Sequence, residues 1–214
     1  MRIGIIGAGR IGSTLARLFA EQGHEVAVSN AHGPESLQDL VATLGTRVHA
    51  LRIDDAAGFG EVVVMAIPWR AHEGYPGAET VAGKILVDAM NPYRPDGSVY
   101  DLGASTSSEE VGRRLPGARV VKAFNTVYFQ RLATEAHQDL PVPDRLAVCL
   151  AGDDQEAKAV VARLIEQIGF APVDTGSLHD GGRLQQPGSL LFNNPLTGQE
   201  AAHLLSRPDR GKAA

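Results

Sequence analysis

Short apolar runs alternate with amphipathic stretches along most of the chain, and each pattern carries its own geometry. "RIGIIG" (Arg2 to Gly7) is apolar and ends in glycine, which predicts a first buried strand. In "IGSTLARLFAEQG", Leu15, Leu18 and Phe19 form one stripe, so a helix follows, closed by Gly23. "HEVAVS" predicts a second strand, and Pro34 with Glu35 suits the opening of a helix reaching about Leu44. "RVHAL" is a weak third strand. "EVVVMAIP" (Glu61 to Pro68) and "KILVDAM" (Lys84 to Met90) are apolar throughout, as strands covered on both faces of a parallel sheet must be. "STSSEEVGRRL" predicts a helix opened by hydroxyl caps, followed by "ARVVKAF" and "RLAVCLAG" as sixth and seventh strands. "DDQEAKAVVARLIEQIG" predicts a long helix ending at Gly169, and "FAPVDTG" a last short strand. Strands alternating with helices imply an α/β protein built on a mostly parallel sheet.

Composition narrows the partners. With 214 residues and 43% hydrophobic side chains, the chain can bury one substantial core, and no linker divides it. Its net charge of −5 has no basic run behind it, so neither nucleic acid nor an anionic membrane is expected to bind. No apolar stretch nears the ~20 residues that cross a bilayer. The opening apolar run is too short, and too broken by glycine, for a secretory signal. The single cysteine, Cys149, reads as a buried small side chain, and a lone thiol suits a reducing compartment. A cytoplasmic protein is expected. The histidines form no helical i, i+4 pair, and neither "GAS" nor "TGS" makes a nucleophile elbow, so metal ligation and serine hydrolysis have no support.

"GIIGAGRIG" holds Gly7, Gly9 and Gly12 in G-x-G-x-x-G spacing. Glycine is common here, at 24 residues, so the spacing alone is weak. Directly after a strand and opening a helix, it specifies a dinucleotide turn. Gly7 permits the tight turn, Gly9 lets the backbone approach a pyrophosphate, and Gly12 lets the helix approach the strand. The helix N-terminus offers free N–H groups and partial positive charge to phosphates. Arg10 either contacts a phosphate or is solvated.

A protein that binds NAD usually ends its second strand in an acid that holds the ribose hydroxyls. This chain has Ser29, Asn30, Ala31 and His32 there, with no acid before Glu35. Ser29 and Asn30 can donate to phosphate oxygens. His32 can do so as a cation, because histidine ordinarily titrates near pH 6.5. A preference for NADP(H) follows.

In a doubly wound sheet, ligands bind beyond the C-terminal strand ends, where strand order reverses next to the first strand. "EVVVMAIP" is the expected neighbour, which sets Ala66, Ile67, Pro68 and Trp69 along the nucleotide crevice. Trp69 has two readings, packing and nucleotide contact. "AMNPY" brings Asn91 and Pro92 nearby. "VVKAFNTV" brings Lys122, Asn125 and Thr126 to the nicotinamide region. Lys122 and Asn125 are candidate catalytic groups, Lys122 as the acid of a carbonyl or imine reduction. Alternatively they are hydrogen-bonded strand ends that shape the pocket.

Together "MRIGIIGAGRIGSTLA", "SNAHGPESL", "AIPW", "VVKAFNT" and "GFAPVDTGSLHDGGRLQQPG" resemble the deazaflavin-dependent NADP oxidoreductases, through about Pro187. "VVKAFNT" is also similar to the cytosolic NADPH-binding region of certain membrane metalloreductases. The resemblance implies a Rossmann-type doubly wound core with a small C-terminal α/β extension, here about residues 140–206 of a single domain 1–206, and a flexible tail 207–214. It implies direct hydride exchange between NADPH and 8-hydroxy-5-deazaflavin (coenzyme F-420), with no obligatory acid–base side chain, and often a homodimer. By motif, the pyrophosphate falls to Ala8 through Ile11 and the 2′-phosphate to Asn30 and Ala31, with His32 beside them. Pro68 and Trp69 border the nucleotide, Asn125 to Val127 lie near the nicotinamide, and "TGSLHDGGRL" borders the deazaflavin. The family commonly has arginine where this chain has His32, so a permanent cation is replaced by a titratable one. Two other readings stand beside this one. They are an NADPH-dependent reductase of a small carbonyl, imine or flavin substrate, and a non-catalytic NADP(H)-binding module.

Overall fold

The computed structural model describes residues 1–206. The tail expected at 207–214 lies outside them. The alternation in the sequence becomes β1 (Arg2–Ile6), α1 (Arg10–Glu21), β2 (Glu25–Ser29), α2 (Gln38–Leu44), β3 (Val48–Ala50), α3 (Ile53–Phe59), β4 (Val62–Met65), α4 (Ala78–Val81) and β5 (Ile85–Asp88). Then come α5 (Ser107–Arg114), β6 (Arg119–Ala123), α6 (Phe129–Thr134), β7 (Ala147–Gly152), α7 (Gln155–Gln167), β8 (Ala171–Asp174), α8 (Asp180–Arg183) and α9 (Gly198–Ser206).

One sheet runs β3-β2-β1-β4-β5-β6-β7-β8. β1 pairs in parallel with both β2 and β4, with Ile5 opposite Val28 and Val64, so strand order reverses beside β1. β7 is antiparallel to β6, with Ala123 opposite Leu150, and β8 is parallel to β7. The C-terminal extension therefore adds two reversed strands to the same sheet. β8 forms one rim and carries Pro172, while the three-residue β3 forms the other.

Both faces are covered, as the apolar strands require. On one face Leu15, Phe19, Leu132, Val161 and Leu164 of α1, α6 and α7 meet Ile3, Ile5, Val28 and Val121. On the other Ala56, Val81 and Val111 of α3, α4 and α5 meet Ile6, Val63, Met65 and Leu86. α1 forms because Leu15, Leu18 and Phe19 fall on one stripe and are all buried, each worth about 1.5–3 kcal/mol. Gly23, at φ 81°, then turns the chain out of it.

The helix expected from Pro34 begins instead as a 3-10 turn, Pro34–Leu37, and becomes α-helical at Gln38. The cause is local. The Ser36 N–H and hydroxyl both donate to the Gly33 carbonyl, at 3.2 and 2.7 Å, and this tightens the turn.

Candidate functional site

The turn after β1 is held from two sides. The Gly7 N–H donates to the Ser29 carbonyl at 2.9 Å, and Gly7 sits at φ 110°, where a side chain is strained. A Cβ at Gly7 would lie 2.4 Å from the Ala66 carbonyl oxygen, so this turn and the end of β4 touch backbone to backbone. A Cβ at Gly12 would lie 1.8 Å from the Gly7 oxygen, which is how closely α1 approaches the turn. Gly9 differs, since a Cβ there meets nothing within 4 Å. The protein's own packing does not require glycine at position 9. The open space lies at the start of α1, which has no side-chain cap and no acid in its first turn. Its first N–H groups lack partners within the helix and suit an anion. These residues fit a dinucleotide pyrophosphate. Arg10 is exposed, with its guanidinium 4.4 Å from the centre of the Phe129 ring. Ala8 and Ile11 are partly buried on the core side.

At the end of β2, Asn30 organises the loop. Its Oδ1 accepts from the His32 N–H at 2.9 Å, and its Nδ2 donates to Ser36 Oγ at 2.9 Å. The turn presents Ala31 and His32 to solvent, and no acidic side chain stands between Ser29 and Glu35. Ser29 does not join them. It is fully buried, on a covered face of the sheet, and its hydroxyl donates to the Ile5 carbonyl of β1 at 3.2 Å. Ser36 was not singled out from the sequence. A serine six residues after an asparagine, at a helix opening, is the signal for it.

Beyond β4, Ala66 and Ile67 are half-buried beside Gly7 and Pro68 is exposed. Trp69 is packed inward, which favours the packing reading. Its indole N–H donates to the Ser107 carbonyl at 3.0 Å, and its ring contacts His72 and Tyr100 at 5.6 Å between centroids. Burial against α5 has taken up its donor.

The ends of β5 and β6 are joined by paired amides. Asn91 Nδ2 donates to the Asn125 carbonyl at 3.0 Å, and Asn125 Nδ2 donates back to Asn91 Oδ1 at 3.1 Å. Thr126 and Val127 follow, both buried, and Thr126 accepts from the Asn193 N–H at 2.8 Å. Exposed Tyr128 then packs at a tilt against Phe129, with centroids 4.6 Å apart.

Lys122 does not reach this surface. It is 0% exposed, and its Nζ lies 3.6 Å from Asp88 Oδ2 and donates to the Met90 carbonyl and to Ser107 Oγ. Asp88, also 0% exposed, accepts from Ser108 Oγ at 2.6 Å and from the Met90 N–H at 3.0 Å. Burial pushes the Lys122 ammonium down from its ordinary value, and the Asp88 carboxylate opposes that fall. A side chain enclosed in this way cannot protonate a substrate in the crevice. Lys122 is an internal counter-ion.

The segment after β8 reaches the same region from the reversed strands. Thr175 accompanies Leu150, its N–H and hydroxyl both donating to the Leu150 carbonyl, at 2.8 and 3.0 Å. His179 meets Glu109 at 3.0 Å, and Gln185 offers its main-chain oxygen to Asn125 Nδ2 at 2.8 Å. Cys149 lies below, its thiol pushed up to about 12 by burial. Among the described residues there is no cluster of three or more metal-ligating side chains.

A glycine turn at an uncapped helix, set where strand order reverses, defines a dinucleotide-binding Rossmann protein. The model of a family described as NADP oxidoreductase, coenzyme F420-dependent, matches residues 2–92. A hypothetical protein of known structure from Sinorhizobium meliloti, SMa0349, is 36% identical, with a TM-score of 0.81 over 92% of this chain and 95% of that one. F420-dependent NADP reductase of Methanocaldococcus jannaschii is 31% identical over 58% of this chain and 57% of its own. Metalloreductase STEAP3 of Rattus norvegicus is 30% identical over 83% of this chain and 34% of its own. The chain thus spans between about a third and just over half of these two curated relatives. These likenesses support the coenzyme F420-dependent NADP oxidoreductase family, the one the motifs resemble.

Proposed function

We propose that the protein transfers hydride between NADP(H) and a planar acceptor, 8-hydroxy-5-deazaflavin (coenzyme F-420). The observation that carries this reading is the open space at Gly9 before the uncapped α1, beside a β2 loop without an acid. Bound NADPH supplies the hydride. The chain's part is to hold the pyrophosphate on the N–H groups of residues 8–11 and the 2′-phosphate on Asn30, Ala31 and His32. Asn91, Asn125, Thr126 and Val127 would set the nicotinamide end, with Ala66, Ile67 and Pro68 along the crevice. Alignment and exclusion of water then do the work. Burial of Lys122 favours ring-to-ring transfer over reduction of a small carbonyl or imine, which calls for an acid at the reacting atom.

The same reading takes residues 1–206 as one functional unit, cytoplasmic and homodimeric, with a small-molecule redox acceptor as partner rather than nucleic acid or a membrane. Among the described residues no helix is long and apolar enough to cross a membrane. The test mixes protein, NADPH and oxidised deazaflavin, and follows loss of deazaflavin absorbance with a flavin control alongside. Turnover with flavin alone replaces the acceptor. NADPH binding without oxidation, across a panel of acceptors, replaces the enzyme with a binding module.

A further inference from the structure

Resting on the dinucleotide reading above, we propose that Gln185 is a positioning residue. Its side chain braces the turn from Thr175 to Gln185, whose main-chain oxygen meets Asn125 at the end of β6, and through Asn125 that segment responds to the nucleotide. Gln185 is wholly buried, a rare state for a glutamine. Its Nε2 donates to Thr175 Oγ1 at 2.9 Å, while its main-chain oxygen accepts from Asn125 Nδ2 at 2.8 Å. Asn125 in turn shares that amide with Asn91. One continuous set of hydrogen bonds therefore runs from the end of β5, through the end of β6, to the end of β8. The first half of the segment is also held by Gly152 and Asp153, which meet Gly176 and Leu178, but across its second half the other side-chain tie to a distant residue, Arg183 to the Gly103 carbonyl, is open to water and correspondingly weak.

The junction is a poor choice for stability alone. Asn125 Oδ1 and Gln185 Oε1 are buried and find no hydrogen-bond partner among the described residues. A buried acceptor without a donor lowers stability, and an apolar residue of similar shape removes that loss. Leucine at position 185 would meet the packing requirement. What the glutamine side chain adds is a donor that fixes Thr175; leucine keeps the main-chain carbonyl that meets Asn125 but loses the brace that holds it there. Asn125 stands at the strand end read as the nicotinamide side, so any shift there reaches Gln185 across one hydrogen bond.

The variants Gln185→Leu and Asn125→Ala, and their combination, test this in the full-length protein. Gln185→Leu should keep or raise the melting temperature and leave KM for NADPH within twofold, while kcat falls at least tenfold. Asn125→Ala should lower kcat similarly, and the double variant should fall no further. A kcat for Gln185→Leu within twofold of wild type, or multiplying losses in the double variant, overturns the proposal. Amide hydrogen exchange gives a readout that needs no turnover. NADPH should slow exchange at residues 8–13 and at 176–189 in the wild type, and only at 8–13 in Gln185→Leu. Equal slowing at 176–189 in both proteins overturns the positioning role alone. No slowing at 8–13 in the wild type overturns it together with the dinucleotide reading.

Discussion

Gly9→Ala separates folding from binding in a single methyl group. At Gly9 φ is −75°, which any residue adopts, and the new Cβ meets nothing within 4 Å. Two effects on stability oppose each other. Restricting the unfolded chain contributes about 0.4–1 kcal/mol of stability. Alanine is a worse N-cap than glycine and costs roughly as much, within the ~0.5–2 kcal/mol span of cap substitutions. The net change should stay within about 1 kcal/mol, or roughly 2–4 °C in melting temperature for a domain of this size. Binding should respond far more. The methyl occupies the space through which a pyrophosphate reaches the N–H groups, and losing one hydrogen bond to a charged group costs about 1.5–3 kcal/mol. That is roughly a 10- to 150-fold rise in Kd for NADPH. Thermal unfolding followed by fluorescence, and titration calorimetry with NADPH, measure the two sides. An alanine variant that binds NADPH as tightly as wild type would show that no phosphate uses this space, and the reading of the turn would fall. The contrasting Gly12→Ala, with its Cβ 1.8 Å from a backbone oxygen, should fail in folding first.

Other outcomes follow from the same structure. Lys122→Met leaves the Asp88 carboxylate buried without its counter-ion and should cost about 3–5 kcal/mol. Adding Asp88→Asn should restore much of that in chemical unfolding, and a Lys122→Met protein that keeps its stability but loses turnover would return Lys122 to catalysis. His32→Glu should weaken NADPH binding about tenfold while NADH binding is unchanged or improved, consistent with loss of one contact to the 2′-phosphate. Parallel losses for both nucleotides would remove His32 from that role. Burial, partly offset by a hydrogen bond donated to Gln167 Oε1, holds His24 below the usual histidine value. A lowered folded value means that its contribution to stability is present above about pH 6.5 and lost as pH falls through the folded value. Melting temperature should therefore drop on acidification below that pH, with a shallower slope in His24→Gln, and identical slopes would refute the assignment.

Much of the fold was legible because its strands are apolar on both faces and its longer helices carry a stripe and an end signal. The short α3, α4, α6, α8 and α9 escaped, since four to nine residues give too little periodicity to separate a helix from a loop. At the site, the sequence exposes what is local: the glycine turn and the acid-free loop after β2. It conceals which way a strand-end side chain faces. Ser29 and Trp69 looked available to a ligand, and are turned inward by contacts with Ile5 and Ser107 that lie far away in the chain. Lys122 looked catalytic because its partner sits on another strand. Only the β5–β6 register, with Asp88 opposite Lys122, brings the two together. Gln185 gives no signal at all until the reversed strands carry its segment to Asn125.

The two rims of the sheet bear on how copies of the chain could associate. β3 is only three residues long, and β8 contains Pro172, which has no N–H to offer an incoming strand. Strand-by-strand growth from one molecule to the next is discouraged at both borders. Any stable association must then use side chains on a helical surface rather than a shared ladder. The apolar strands between these rims are thereby shielded from edge-to-edge pairing.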